Sequence, residues 1–302
     1  MDTKFNRPKG FGEILDLTFS LSKSRFRDFF TIALIFMGPI YLLQSLILLA
    51  SGKSFFREVG VGEAWFDQLI SGFTDTEATS LGADLGVVSL GFISLFLFPV
   101  ASAAILLAVN HIRKNETYTI GSVIKKAFSR YGPIIGGTIL FTIITIILVV
   151  VPLVASFMIT GIALAVAPSV SGVIFAILLF LGLAVGIGYL LTRWSFYFGS
   201  VVLGDEVPGL SRSWRLTQKR TWTLLGLYII FILLIIVISF AVELTFGLFL
   251  GNSVLLSMIT SLVTIVTTVI FAVGYAVMYL DLKVRHDADD IKELIQDYNV
   301  KP

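Results

Sequence analysis

Cysteine is absent from this sequence, which rules out disulfide frameworks, thiolate zinc sites and cysteine nucleophiles. Histidine occurs twice, as His111 and His286, and neither NHIR nor VRHD offers a metal-ligand spacing. No glycine-rich loop runs into Lys and Ser/Thr, no HExxH is present, and no serine has an evident base. The chain is therefore expected to be non-enzymatic, with no cofactor, no metal and no ATPase of its own. Charge is scarce too: 14% of the residues are Asp, Glu, Lys or Arg, against about 25% in soluble domains.

What fills the space is apolar: 56% of the chain is hydrophobic and the mean hydropathy is +0.94. That much apolar surface needs lipid as its solvent. A hydrocarbon core about 30 Å thick takes roughly 20 helical residues to cross. Six stretches qualify, near residues 29–50, 85–109, 133–159, 170–191, 222–246 and 254–280. Gly161 and Pro168 set the break between the third and fourth, where the linker is itself apolar. The first 28 residues are charged and amphipathic and no cleavage pattern follows the first apolar run, so that run is expected to stay as an uncleaved anchor.

Lys and Arg are distributed unevenly. Of the 22, all but Lys53 and Arg57 lie in the N-terminal segment, the second and fourth connections, or the tail. By the positive-inside rule both termini are cytoplasmic. Acids gather instead in the 51–84 loop, which holds Glu58, Glu63, Asp67, Asp75, Glu77 and Asp84 and is expected to be extracytoplasmic. Within it, Trp65, Phe66, Leu69, Ile70 and Phe73 share one face of a possible helix. Residues 282–302 read as a cytoplasmic tail with a short soluble helix whose acids sit at its start, as the helix dipole favours.

The basic connections resemble one another. FGEILDLTFSLSKSRFRDFF, TIGSVIKKAFSRYGPIIGG and VPGLSRSWRLTQKRTWTLLG each precede an odd-numbered span. Phe19, Leu21 and Arg25 match Trp214, Leu216 and Arg220 in spacing; the middle copy offers Phe128, Arg130 and Tyr131. One polytopic domain over 1–302 follows, built from repeat-like units near 10–110, 119–192 and 206–281, each a short amphipathic helix before a transmembrane hairpin. Apolar residues recur at three- and four-residue steps: Phe11, Ile14, Leu15, Thr18, Phe19, Ser22 and Phe26; Ile120, Val123, Ile124, Ala127, Phe128 and Tyr131; Val207, Leu210, Trp214 and Thr217. Such helices lie in the headgroup layer with basic residues toward anionic lipid. The candidate lipid-interface residues are Arg25, Arg27, Lys125, Lys126, Arg130, Arg193, Arg212, Trp214, Arg215, Lys219, Arg220 and Trp222. The plainer reading of the same charges is a topological signal alone.

Polar residues inside the spans are few. Gln44 lies late in the first and Glu243 toward the outer end of the fifth; an interfacial glutamate reaching water is the simple reading of the latter. Gly182 and Gly186, and Ala101 to Ala104, are small-residue steps suited to close helix packing. Pro39 and Pro99 fall in mid-span.

Three stretches in order, GFGEILDLTFSLSKSRFRDFF, RWSFYFGSVVLGDEVPGLSRSWRLTQKRTW and YLDLKVRHDADDIKELI, resemble the membrane domain associated with glycerophosphoryl diester phosphodiesterases and related bacterial membrane proteins. The resemblance implies an all-helical, multi-pass protein of a bacterial plasma membrane. It does not carry the hydrolase activity, since no residues remain for a catalytic barrel and His111 is followed by Ile112. The function expected is organising, sensing or passing phospholipid-related amphiphiles. Anionic lipids of the cytoplasmic leaflet are the expected partners, with a membrane or cytoplasmic protein as a further one and nucleic acid excluded. The alternative is a permease subunit working with a separate ATPase.

Overall fold

A computed structural model describes residues 7–56, 81–166, 170–204 and 206–300. Trp65, Phe66, Leu69, Ile70 and Phe73 of the 51–84 loop lie outside them. Every described element is an α-helix: α1 Phe11–Ser24, α2 Phe26–Ala50, α3 Leu81–Lys114, α4 Ile120–Ser129, α5 Tyr131–Val166, α6 Val170–Ser195, α7 Tyr197–Leu203, α8 Leu210–Leu216, α9 Thr221–Leu250 and α10 Val254–Val300.

Six helical stretches are long and apolar enough to cross a membrane: Phe26–Ala50, Gly82–Lys114, Tyr131–Gly161, Val170–Leu203, Thr221–Leu250 and Val254–His286. Hydropathy located each, and the helices overrun it at most ends because polar end residues remain helical. Two boundaries differ in kind. Gly161 does not break α5, which runs on to Val166. The tail does not begin a separate helix, because α10 continues unbroken from Val254 to Val300.

Helix ends are set by backbone chemistry. Gly10 N–H donates to Glu13 Oε2 at 2.8 Å and starts α1, half of a capping box. Gly52, at φ +93°, closes α2: its N–H reaches Leu49 O at 3.1 Å while Lys53 N–H reaches Leu48 O at 3.1 Å. Asn115, at φ +56°, closes α3 in the same manner, with Glu116 N–H on His111 O at 3.0 Å. Both are Schellman closures, in which a left-handed residue turns N–H groups back onto otherwise orphaned carbonyls.

The chain divides into two compact units, one chiefly of residues 9–129 and 229–278, the other chiefly of 130–228 and 279–302. In the first, α2 packs on α1, α3 and α4, and α3 on α4. Its core holds Phe29, Ile32, Ala33 and Phe36 of α2, Val100 through Val109 of α3 with Ser102 excepted, and Val123 and Ala127 of α4. Ala101, Ala103, Ala104 and Ala108 are small enough to let a neighbouring backbone approach. Phe128 leans on Phe36 with ring centroids 5.8 Å apart. The α10 amides of Val254 and Leu255, orphaned at a helix start, donate to Ser54 O and Phe55 O at 3.1 Å each. Lys53 Nζ adds a 2.6 Å bond to Asn252 Oδ1.

In the second unit, α5 packs on α6 and α7, and α8 on α6 and α7. The outward faces of α5 and α6 carry Ile143, Ile147, Val151, Phe157, Ile174, Leu178 and Leu181, all exposed. Apolar stripes of that extent suit hydrocarbon, not water.

Glycines report how tight each contact is. A Cβ on Gly274 of α10 would lie 2.6 Å from Phe231 Cζ of α9, whereas one on Gly182 of α6 meets nothing within 4 Å. Gly274→Ala is expected to destabilise the detergent-solubilised protein by about 1–3 kcal/mol through overpacking. Gly182→Ala should be neutral or better, alanine being the stronger helix former by roughly 1 kcal/mol. Thermal unfolding midpoints of the two variants make the comparison; equal midpoints would contradict the close α9–α10 approach.

Candidate functional site

The densest cluster of the candidate residues lies in the second unit, where α6 ends and α9 begins. Arg193 sits in the last turn of α6, where carbonyls have no helical partner. Its carbonyl accepts Ser213 Oγ–H at 2.7 Å. Its guanidinium donates from Nη2 to Trp214 O at 3.1 Å and lies 3.6 Å from the centre of the Trp214 ring. A cation over an indole face contributes about 0.5–2 kcal/mol, more as water is excluded. Trp194 packs on Trp214 with centroids 5.5 Å apart. One arginine thereby fastens α8 to the end of α6.

A hydroxyl ladder continues from there. Thr217 Oγ1 donates to Ser213 O at 2.9 Å and Thr221 Oγ1 to Thr217 O at 3.0 Å. Ser213, Thr217 and Thr221 are all buried. The four-residue spacing lets Thr217 and Thr221 each reach the carbonyl one turn back, so both threonines are buried with their hydroxyls satisfied.

Two more arginines of the candidate set also turn inward. Arg130 Nη1 donates to Val201 O at 3.3 Å, at the end of α7. It lies against Gly204, at φ +77°, where any side chain would strike the guanidinium. Arg220 Nη1 pairs with Asp281 Oδ2 at 3.4 Å, and Arg285 Nε approaches the same oxygen at 2.9 Å. Asp281 is 2% exposed. Burial, with the Arg285 charge behind it, pulls the Arg220 guanidinium below its usual range, and Asp281 opposes the shift. Tyr279, two residues before Asp281, donates to Ser200 Oγ at 3.3 Å, its ring against Gly199, which has no room for a Cβ.

The remaining candidates face outward. Arg215 is 60% exposed and pairs loosely with Glu206 at 3.4 Å. Lys219 is exposed at φ +68°. Trp222 is 64% exposed, its ring 5.2 Å from Tyr189. Arg212 is half-buried. In the first unit Arg27, Lys125 and Lys126 are exposed, and Arg25 is exposed with Asp28 at 3.9 Å. Asp28 also accepts Tyr118 Oη–H at 2.9 Å, and burial together with that carboxylate holds the Tyr118 phenol above its ordinary range. Gln44 is half-buried in α2, and Glu243 is exposed on α9 between the exposed Phe240 and Leu244. Neither joins the cluster.

Arg25, Arg130 and Arg220 each occupy the residue directly before a long helix. Their carbonyls accept the first-turn N–H groups of Phe29, Ile134 and Leu224 at 3.2, 3.0 and 3.0 Å. Sequence reasoning aligned these arginines but missed Asp281, Arg285 and Gly204 as their surroundings, and Ser213 as the partner of the Arg193 carbonyl. The signals were there in part: Asp281 interrupts the apolar end of the last span, and Ser213, Thr217 and Thr221 repeat at one helical turn.

Among the described residues no group of three His, Asp or Glu side chains is placed to hold a metal. No family model, no curated protein and no solved structure matches the chain. The likeness to the phosphodiesterase-associated membrane domain rests on the three quoted stretches alone.

The inward and outward arginines should behave differently. Arg193→Gln removes a bond to a buried helix end and the indole contact, and is expected to cost about 2–3 kcal/mol. Arg215→Gln removes an exposed ion pair and should cost less than about 1 kcal/mol. Unfolding in detergent, followed by tryptophan fluorescence, ranks the two; the reverse order would remove Arg193 from its fastening role.

Proposed function

We propose that this protein is a non-enzymatic membrane module of the bacterial plasma membrane, akin to the phosphodiesterase-associated membrane domain, that organises, senses or passes phospholipid-related amphiphiles. In this reading six spans form three hairpins. α1, α4 and α8 lie in the cytoplasmic headgroup layer, and both termini are cytoplasmic.

One observation carries the reading: outward-facing cations stand beside outward-facing aromatics at the basic ends of the apolar helices. Arg215 and Lys219 are exposed in the segment that leads into the exposed Trp222 at the start of α9. On α1, Phe11 and Phe19 are exposed while Ile14, Thr18 and Leu21 are buried, and exposed Arg25 and Arg27 follow. On α4, exposed Lys125 and Lys126 adjoin exposed Phe128. Indoles and phenyl rings with basic neighbours favour the boundary between headgroups and acyl chains. The arrangement offers anionic lipid a charged and apolar surface at the same depth.

The topology has a direct test. A reporter at Thr76 should be reachable only from outside the cell and one at Val300 only from inside; labelling of both from one side would end the hairpin reading. Lipid contact has another. Each exposed Lys or Arg near an anionic surface contributes about 1 kcal/mol, so Arg215→Gln and Lys219→Gln, with the half-buried Arg212→Gln added, should weaken phosphatidylglycerol retention by roughly 30-fold or more. Native mass spectrometry of the folded triple variant measures that, and unchanged retention would refute the lipid-contact role.

A further inference from the structure

We propose that Arg113, in the last turn of α3, is a phosphate-binding residue whose guanidinium swings outward from an unsatisfied buried position to reach its ligand. This rests on the lipid-handling reading above and names a contact outside the basic residues assigned there.

The core-facing stripe of α3 ends on this arginine. Val109 and Leu106, one and two turns earlier, are fully buried, and that spacing puts Arg113 on their face. Arg113 itself is half-buried. Its Nη1 is buried and has no hydrogen-bond partner, and no ion pair joins Arg113 to another described residue. The carboxylates at this end of α3 are engaged elsewhere. Glu116 Oε2 lies 2.7 Å from His111 Nδ1, and Oε1 lies 3.9 Å from Lys114 Nζ. Asp28 accepts Tyr118 Oη–H at 2.9 Å and stands 3.9 Å from Arg25. The Tyr118 ring in turn stacks on His111, with centroids 6.2 Å apart, which brings Asp28 to the same end.

An unsatisfied buried donor costs free energy, and a guanidinium has no neutral form to retreat to. Swinging it outward breaks no hydrogen bond or ion pair at Arg113. Other inward arginines lack that freedom: Arg193 would give up Trp214 O, and Arg130 would give up Val201 O. A phosphate meets the guanidinium fork with two parallel charge-assisted bonds, so the movement exchanges an orphaned donor for a bidentate contact. Depth suits a headgroup. Arg113 lies next to the end of the candidate span Gly82–Lys114, where an arginine stem stays in apolar surroundings while its head reaches the polar layer. The last turn of a helix favours a cation and not an anion, so the attraction must come from the guanidinium and the adjacent Lys114, not from the backbone.

Thermal unfolding of the full chain in lipid-depleted maltoside, followed by tryptophan fluorescence, tests this. Arg113→Met removes the guanidinium and keeps an apolar stem, so its midpoint without additives should be no lower than that of the wild type. A lower midpoint, or failure to fold, would make Arg113 a structural residue and overturn the site. Added phosphatidylglycerol should raise the wild-type midpoint, and Arg113→Met should need roughly 10-fold more lipid for half the effect. Arg113→Lys keeps the charge without the fork; if it responds as the wild type does, charge alone suffices and the phosphate contact falls. Inorganic phosphate, compared with chloride at equal ionic strength, separates the sources. A shift in the wild type that Arg113→Met lacks makes the free ion a ligand, whereas a response to phosphatidylglycerol alone assigns the site to headgroups. A phosphate shift without any lipid response leaves the site standing and ends the lipid-handling reading. An equal lipid response in the wild type and Arg113→Met ends the site alone. No response to either additive overturns both.

Discussion

Hydrocarbon supplies no hydrogen bonds, and each polar group left unsatisfied there costs several kcal/mol. Within the spans the chain meets this locally: Thr138, Thr145 and Thr192 each return their hydroxyl to the carbonyl four residues back, at 2.7–2.8 Å. Helix ends are harder, because their carbonyls have no partner in the same helix. Side chains from other segments serve there. Ser213 satisfies the end of α6, and Arg130 the end of α7. The polar residues that close the helix ends also hold the short helices in place, so the shape of the basic region follows from the demands of the apolar one.

The three junction arginines show how one position can acquire separate tasks. The backbone role is common to all: each carbonyl receives the first-turn amide of the long helix that follows. The side chains differ. Arg25 stays at the surface beside Asp28, Arg130 reaches the end of α7, and Arg220 meets the buried Asp281. A repeated helix start conserves the backbone geometry without dictating the guanidinium's partner, which depends on the helices that arrive later in the chain.

The spans were legible because runs such as Ile139–Val151 have few alternatives to a long helix in lipid. Gly52 and Asn115 close α2 and α3 with positive φ, but neither was read from the sequence as a stop. The short helix α7 was not legible. YFGSVVL lies beyond the apolar stretch that ends near 191, nothing in it marks a helix of its own, and its burial of Tyr197, Val201 and Val202 comes from packing that periodicity does not encode. Direction was hidden in the same way. A charge next to a span reads as a topological mark whether it points out, as Lys125 and Lys126 do, or in, as Arg193 does. The acids of HDADD looked like a fresh helix start, yet α10 is continuous through them, because charged residues can prolong a helix beyond the apolar part.

Trp214 and Trp222 carry that contrast to its conclusion. They are eight residues apart in one basic segment, and composition treats them alike. Trp214 lies under the Arg193 guanidinium and against Trp194, its carbonyl also bound by that arginine. Trp222 touches Tyr189 and is otherwise 64% exposed. An indole whose face is already occupied by a cation has little surface left for lipid, whereas an exposed indole beside Lys219 has both an apolar plane and a neighbouring charge to offer. The hydroxyl ladder separates them: by burying Thr217 and Thr221 it fixes the turn, so that α8 is held inward while the first turn of α9 presents Trp222 outward.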